Sequence, residues 1–310
     1  MVTGLKPGVT ETLPLGVLTA FMSRHKLHQI QESAGAGPLP DHENCSAISL
    51  RPILESDIAM EPTQRYDRNL LLYGPKRNAV LELWEVRRYG GDSFGDENYV
   101  SICGLTPDNW YERGVRLLGR TAVECTRDCL GDRIGQDVAE VVASSPAPDV
   151  LVVDPFVGSG NTLYWLLRHL PGARGLGFES DAGVFQLTRN NLARLGLPIE
   201  VRHTDYRSGF DDMPEKQKLI VFLAPPWGDA LTAAGLDLRR TTPPVGEIVD
   251  LLQQRFAHHP LLVAVQLYER MEQDSLAALK SRFDWAAVRI YDLNALGENH
   301  GLLLGLKAWQ

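Results

Sequence analysis

Residues 149–162 read DVLVVDPFVGSGNT. Asp149–Asp154 is a short, continuous apolar run bounded by acids, the pattern of a strand buried on both faces of a parallel sheet. Gly158 and Gly160 then allow a tight turn and a close backbone approach to a ligand that a Cβ would push away. Asn161–Leu170 (NTLYWLLRHL) has helical spacing, so the stretch reads as strand, glycine-rich turn and helix. Free N–H groups at that helix start favour a carboxylate or phosphate. Asp154, at the strand end, favours a cation in the same space. An acid beside N–H donors suits a zwitterionic amino acid, whereas Asp154 would repel a diphosphate.

Downstream, the chain alternates between strand and helix patterns. Strands are expected at 175–179, 199–203, 219–223, 261–266, 286–292 and 302–307, and helices at 182–195, 245–257 and 270–282. Seven strands with interposed helices predict an α/β fold, a doubly wound Rossmann-like sheet, with its ligand at the carboxyl ends of the strands. Residues 1–145 have a weaker pattern. Gly35–Pro40 reads as a loop, Val80–Val86 and Tyr99–Cys103 as strands, and Trp110–Arg120 and Ala122–Cys129 as helical. The SSPAP linker at 144–148 divides the chain into an accessory, substrate-covering region (1–145) and a catalytic domain (146–310).

The 310 residues carry 31 Lys+Arg against 39 Asp+Glu, a net charge of −8. That balance lacks the positive field by which long nucleic acids are bound through counterion release. No apolar run is long enough to span a membrane, and the N-terminus has no signal-peptide pattern. Four cysteines are too few for a disulfide framework, so the expectation is a soluble cytoplasmic protein without a metal site. The basic residues are 24 Arg and 7 Lys, a bias that points to a GC-rich bacterial gene.

Three further acids follow the glycine turn. Glu179 ends the second strand, 25 residues after Asp154, where an acid accepts the two hydroxyls of a ribose. Asp181 either assists it or caps the next helix. Asp205, in HTDY after the third strand, is placed to accept a proton from an adenine amino group. Leu219–Trp227 (LIVFLAPPW) is a buried strand running into two prolines and a tryptophan. The prolines fix φ and contribute no N–H, so the carbonyls of Ala224 and Pro225 are free to point outward to an amine. Trp227 offers a flat surface for a planar or cationic group.

DPFVGSGNT, the acid of GFES, the Asp of HTDY and APPW together resemble the class I S-adenosylmethionine-dependent methyltransferases. That resemblance implies S-adenosyl-L-methionine as cofactor. Its amino-acid end would lie over Asp154, Pro155, Phe156, Gly158, Ser159, Gly160 and Thr162, its ribose on Glu179 and Asp181, and its adenine near Asp205. Ala224, Pro225, Pro226 and Trp227 would then form the catalytic segment. FLAPPWGDA and GLDLRRTTPPVGEIVDLL are more narrowly similar to the trimethylguanosine synthase family, which methylates the exocyclic N2 of a 7-methylguanosine cap. The likeness covers residues 149–255, roughly a third of the chain. Two departures stand out: position 224 is Ala where nitrogen methyltransferases carry Asp, Asn or Ser, and position 155 is Pro.

The remaining candidates are Tyr66, Trp110, Tyr111 and His300 as substrate contacts, and Arg87-Arg88 as an anion contact or a solvated strand end. Cys125 and Cys129 read as buried small hydrophobes, and His258-His259 as a helix-end pair. The expected activity is N-methylation of a small planar or amine-bearing metabolite of bacterial secondary metabolism. The alternatives are a base in RNA or DNA, guanine N2 first, and a non-catalytic cofactor-binding relative.

Overall fold

The computed structural model describes residues 65–143, 150–213, 218–293 and 300–309. The loop read at 35–40 and the linker at 144–148 lie outside them. The first described segment is a turn of π-helix at Asn69–Tyr73, followed by α1 (Leu83–Phe94), α2 (Pro107–Glu112), α3 (Gly119–Glu124) and α4 (Asp128–Val142). Next come β1 (Val150–Asp154), α5 (Asn161–His169), β2 (Arg174–Glu179), α6 (Ala182–Arg194), β3 (Glu200–His203), α7 (Tyr206–Asp211) and β4 (Lys218–Leu223). A 3-10 turn at Gly228–Ala230 leads to a small hairpin, β5 (Leu231–Thr232) and β6 (Gly235–Leu236). The chain continues with α8 (Val245–Arg255), β7 (Leu261–Tyr268), α9 (Gln273–Lys280), β8 (Trp285–Tyr291) and β9 (His300–Lys307).

The large sheet has seven strands, as the alternating pattern predicts, in the order β3-β2-β1-β4-β7-β9-β8. β1 pairs in parallel with β2 and β4, β2 with β3, and β4 with β7, while β9 is antiparallel to β7 and β8. The central strands are mostly apolar because both faces are covered: all five residues of β1 are buried, as are five of the six of β4. One face packs Val153, Phe178, Val221 and Val263 against α7, α8 and α9. The other packs Val152, Ile220 and Ala264 against Ile134 and Val138 of α4 and Leu163 and Leu166 of α5. The order reverses at β1, so the ends of β1 and β4 flank the crevice in which such sheets take ligands. Among the described residues no helix is long and apolar enough to cross a membrane.

The first half departs from the sequence reading. Val80–Val86 is not a strand: Val80 makes a single bridge to Leu118, and a helix begins at Leu83. A reciprocal capping box decides this, since Glu82 N–H donates to Glu85 Oε2 at 2.9 Å and two otherwise orphaned donors at the helix start are satisfied. Tyr99–Cys103 supplies one bridge, Ile102 to Leu105. The helical stretch at 110–120 breaks after Glu112, and the one at 122–129 is the end of α3 and the start of α4. α1, α2 and α3 enclose a core of their own around Leu71, Val86, Tyr89, Trp110 and Val115.

Candidate active site

β1 delivers Asp154 to the carboxyl edge, where its Oδ1 accepts Phe156 N–H at 3.1 Å. The side chain is only 2% exposed, and burial, with Glu179 nearby, raises its carboxyl to about 7. The loop that follows turns through left-handed backbone at Gly158 (φ 49°) and Gly160 (φ 80°), which L-residues with a Cβ rarely adopt. A Cβ at Gly158 would meet nothing nearer than Phe156 O at 3.8 Å: space lies open over the loop. Three contacts hold the loop from below. Val157 N–H donates to Phe178 O at 3.0 Å, Gly160 N–H to Val157 O at 2.7 Å, and Thr188 Oγ1 to Gly158 O. Ser159 and Thr162 are buried at the start of α5.

Glu179 ends β2, and its Oε1 accepts Asp181 N–H at 2.9 Å. Burial raises its carboxyl, against the Asp181 and Gly158 amides, which lower it. Asp181 is the N-cap of α6, accepting Gly183 and Val184 N–H at 2.9 and 3.0 Å, and it pairs with Arg120 at 2.6 Å. Of its two sequence readings, capping therefore occupies Oδ1. Asp205 caps α7 through Arg207 N–H at 2.9 Å, beside the tilted Phe156–Tyr206 ring pair (5.5 Å). At the end of β4, Pro225 is buried, Pro226 exposed, and Ala224 and Trp227 half-buried. The Pro226 carbonyl accepts Thr242 N–H at 3.3 Å and the Trp227 carbonyl accepts Ala230 N–H at 2.8 Å. The Ala224 and Pro225 carbonyls accept no hydrogen bond from the described residues.

The Trp227 ring meets two others at the same edge, Tyr268 at 6.0 Å and His300 at 6.1 Å. His300 begins β9 opposite Tyr268 of β7. Burial, then the Arg127 guanidinium, push its imidazole down to about 4. Its Nδ1 is closed off from solvent with no hydrogen-bond partner among the described residues.

Two predicted substrate contacts belong elsewhere. Trp110 is fully buried, with Nε1–H bonded to Val100 O at 2.9 Å. Tyr66 is 8% exposed and donates to Glu85 Oε1 at 3.1 Å. Both are packing in the helical core, where a buried indole or phenol finds a partner in the protein. Tyr111 lies on the surface of that region, bonded to Glu82, with Arg116 3.5 Å over its ring. Arg87 pairs with Glu97 and with Asp108 (3.0 Å), and Arg88 with Asp92 (3.3 Å), all carboxylates of the protein.

What sequence reasoning missed is a strap across the site. Residues 116–128 are bonded in turn to α6, to the glycine loop and to β7. Asn191 bridges both backbone groups of Arg116, Arg120 pairs with Asp181, and Cys125 Sγ lies 3.2 Å from Ser159 Oγ. Thr126 Oγ1 donates to Gln266 Oε1 at 3.2 Å, and Asn161 Nδ2 donates to Thr126 O (2.7 Å) and Asp128 Oδ1 (3.0 Å). Cys125 is thus in the loop's wall, its thiol pushed up to about 12 by burial and inert as a nucleophile at neutral pH. Glu124, exposed yet crowded by surrounding protein, has its carboxyl raised by that crowding, with Arg77, Arg120 and Arg68 opposing and Glu179 reinforcing the rise. A separate cavity of about 530 Å³, lined by Tyr164, Arg168, Arg174 and Arg202, opens near the starts of β2 and β3, toward the opposite edge. Among the described residues no group of three His, Cys, Asp or Glu side chains is placed to hold a metal.

No family model and no curated protein sequence matches the chain. Solved structures do resemble it. An rRNA methylase from Streptococcus thermophilus is 17% identical, with a TM-score of 0.37 over 60% of this chain and 98% of its own. The METTL16 MTase domain gives 17% and 0.40 over 59% of this chain and 68% of that domain. Precorrin-6y C5,15-methyltransferase from Geobacter metallireducens gives 14% and 0.38 over 55% and 87%. The fold assignment rests on the strand order itself.

Proposed function

We propose that the protein is an S-adenosylmethionine-dependent methyltransferase acting on nitrogen in a small planar or amine-bearing molecule. One observation carries the reading: the ends of adjacent strands β1 and β4 set an acid-flanked, left-handed glycine loop beside two free carbonyls and a tryptophan. The residues fit that cofactor. Gly158 leaves room for it, Asp154 and Glu179 supply carboxylates for an ammonium group and ribose hydroxyls, and the start of α5 supplies N–H donors for a carboxylate. When bound, the cofactor supplies an electrophilic methyl group.

The chain's own task is then positioning. Trp227 stacks the acceptor, and the Ala224 and Pro225 carbonyls take its N–H, which aims the nitrogen lone pair. Holding two partners in line supplies about 7–11 kcal/mol of barrier lowering. The acidic net charge and the scarcity of lysine favour a small bacterial metabolite over a base in RNA or DNA. The test is incubation with methyl-labelled S-adenosylmethionine and a lysate divided into metabolites and nucleic acid. Label in the metabolite fraction is the expected result. Nuclease-sensitive label in the large fraction would transfer the acceptor to nucleic acid, and a protein that does not bind S-adenosylhomocysteine would refute the reading.

A further inference from the structure

We propose that the cavity of about 530 Å³ at the starts of β2 and β3 is a second ligand site. It takes a small organic anion, a phosphate or carboxylate carried on an apolar body. The proposal stands apart from the methyltransferase reading, because the cavity lies toward the sheet edge opposite the glycine loop. Arg174 begins β2 and Glu179 ends it, which separates the cavity from the crevice by roughly 17 Å at about 3.3 Å per residue. α5 spans the same gap, from Asn161 beside the loop to Arg168 at the cavity. Both sites can therefore be filled at once.

The cavity follows from how the sheet ends. β3 is an edge strand of four residues, none of them buried. α6 stops at Arg194, and Gly196 turns the chain through left-handed backbone (φ 66°). Leu197 N–H then closes on Leu192 O at 3.0 Å, and residues 197–199 return to β3 along one wall of the cavity. Leu167 of α5 forms part of the wall across from them. It lies so close to β2 that a Cβ on Gly175 would meet its Cδ1 at 2.6 Å. Leu167, Leu197 and Ile199 all remain half-buried, so the wall offers apolar surface to a ligand. The volume falls within the roughly 300–1,000 Å³ of small-molecule sites.

The polar part of the lining is cationic. Arg168, Arg174 and Arg202 stand against one carboxylate, Glu200, a local positive excess in a chain whose net charge is −8. Arg202 already occupies that carboxylate, its Nε donating to Glu200 Oε1 at 2.6 Å. Arg168 and Arg174 are exposed and have no carboxylate partner among the described residues. Guanidinium forks match the paired oxygens of a carboxylate or phosphate. A bare anion would make no use of the leucine and isoleucine wall, and an uncharged apolar molecule would make none of the arginines. The two features in one cavity select a ligand with an oxyanion at one end and apolar atoms at the other.

The experiment titrates the full chain with anilinonaphthalene sulfonate, an aromatic oxyanion whose fluorescence rises in apolar surroundings. Expected is one saturable site that persists at saturating S-adenosylhomocysteine. Arg168→Ala and Arg174→Ala should each weaken it about tenfold or more, the scale of a lost charge-assisted hydrogen bond. The double variant should lose it, whereas Arg133→Ala, at an exposed arginine outside the cavity, should leave it unchanged. Near-UV circular dichroism checks that each variant keeps the fold. Competition then identifies the anionic group: displacement by octanoate assigns a carboxylate, and displacement by adenosine monophosphate a phosphate. Inorganic phosphate alone, which gains nothing from the apolar wall, should displace far more weakly than either. Equal binding by the double variant, displacement by S-adenosylhomocysteine, or displacement by neither octanoate nor adenosine monophosphate would overturn the proposal. None of these results bears on the methyltransferase reading, which S-adenosylhomocysteine binding tests by itself.

Discussion

If Asp154 faces the cofactor's ammonium group as proposed, its burial makes cofactor affinity pH-dependent in a definite direction. Its carboxyl is enclosed, and burial raises it to about 7, with Glu179 adding to the rise. A ligand that brings an ammonium group to this carboxylate binds the ionised form, so affinity must grow as pH rises through 7. For a group of pKa about 7 the apparent dissociation constant scales as one plus the protonated-to-ionised ratio. That factor is about 11 at pH 6 and about 1.1 at pH 8, a tenfold change worth about 1.4 kcal/mol. Calorimetric titration with S-adenosylhomocysteine at pH 6, 7 and 8 reads it directly. Repeating the pH 6 titration in two buffers of different ionisation enthalpy counts the proton released, about 0.9 per ligand on this arithmetic. Asp154→Asn should abolish the pH dependence and leave affinity at pH 8 about 10- to 100-fold weaker, the scale of a lost charged hydrogen bond. The ligand-free protein should show the opposite trend. Its folded-state carboxyl holds a proton that the unfolded chain releases near pH 4, so stability falls as pH rises from about 4 to about 7. Affinity that is flat from pH 6 to 8, with no proton released, would refute the placement of Asp154 against the ligand's cation.

Trp227→Ala should raise the acceptor KM and lower turnover with S-adenosylhomocysteine affinity unchanged. An equal loss of both in steady-state and calorimetric assays would make Trp227 packing only. Trp110→Ala should cost about 3–5 kcal/mol of stability by denaturant unfolding without altering the acceptor KM, because the ring lies wholly within the helical core. Gly158→Ala and Gly160→Ala should each lose about 1–2 kcal/mol to left-handed strain. Only Gly158→Ala should also weaken S-adenosylhomocysteine by tenfold or more, since its methyl enters the open space over the loop, whereas at Gly160 it meets Leu192 at 3.4 Å.

Where the chain's hydrophobic period coincides with its burial, the fold could be read directly. β1, β4 and β7 are built on apolar runs, 150–153, 219–223 and 261–265, because the sheet covers both their faces, and their bounds fall within two residues of the pattern. The first half defeated the same method for identifiable reasons. The apolar-rich run VLELWEV at 80–86 reads as a strand, yet a capping box outside any periodicity starts α1 within it, at Leu83. α4 contains Gly131 and Gly135, which lower helix propensity by about 1 kcal/mol each. They are required there: a Cβ at Gly131 would meet Trp165 Cδ1 at 2.6 Å, and one at Gly135 would meet His169 Cδ2 at 2.5 Å. Close packing of α4 on α5 outweighs the propensity, and no local signal announces it.

The site divides along the same line. The placement of Asp154 and Glu179 at strand ends, and of Trp227 just beyond one, was legible because a strand followed by a turn fixes which edge they reach. Trp110 and Tyr66 were misplaced because an aromatic before a sheet reads alike whether it packs or lines a pocket. Only the buried Trp110–Val100 and Tyr66–Glu85 hydrogen bonds distinguish the two. The strap was invisible for a different reason. Each of its contacts joins residues far apart in sequence, 75 for Arg116–Asn191 and 140 for Thr126–Gln266, and depends on one side chain meeting one particular backbone or side-chain group. Asn161 shows the consequence. It is the first residue of α5, as the pattern reads it, but it is also 1% exposed, and its amide bonds Cys103 N–H, Thr126 O and Asp128 together. A buried amide left unpaired costs about 1–3 kcal/mol per bond lost, so the helix that carries the glycine loop is satisfied only when residues 101–128 lie against it. The preceding segment therefore packs as part of the structure that holds the glycine loop, through Ser159 and Asn161.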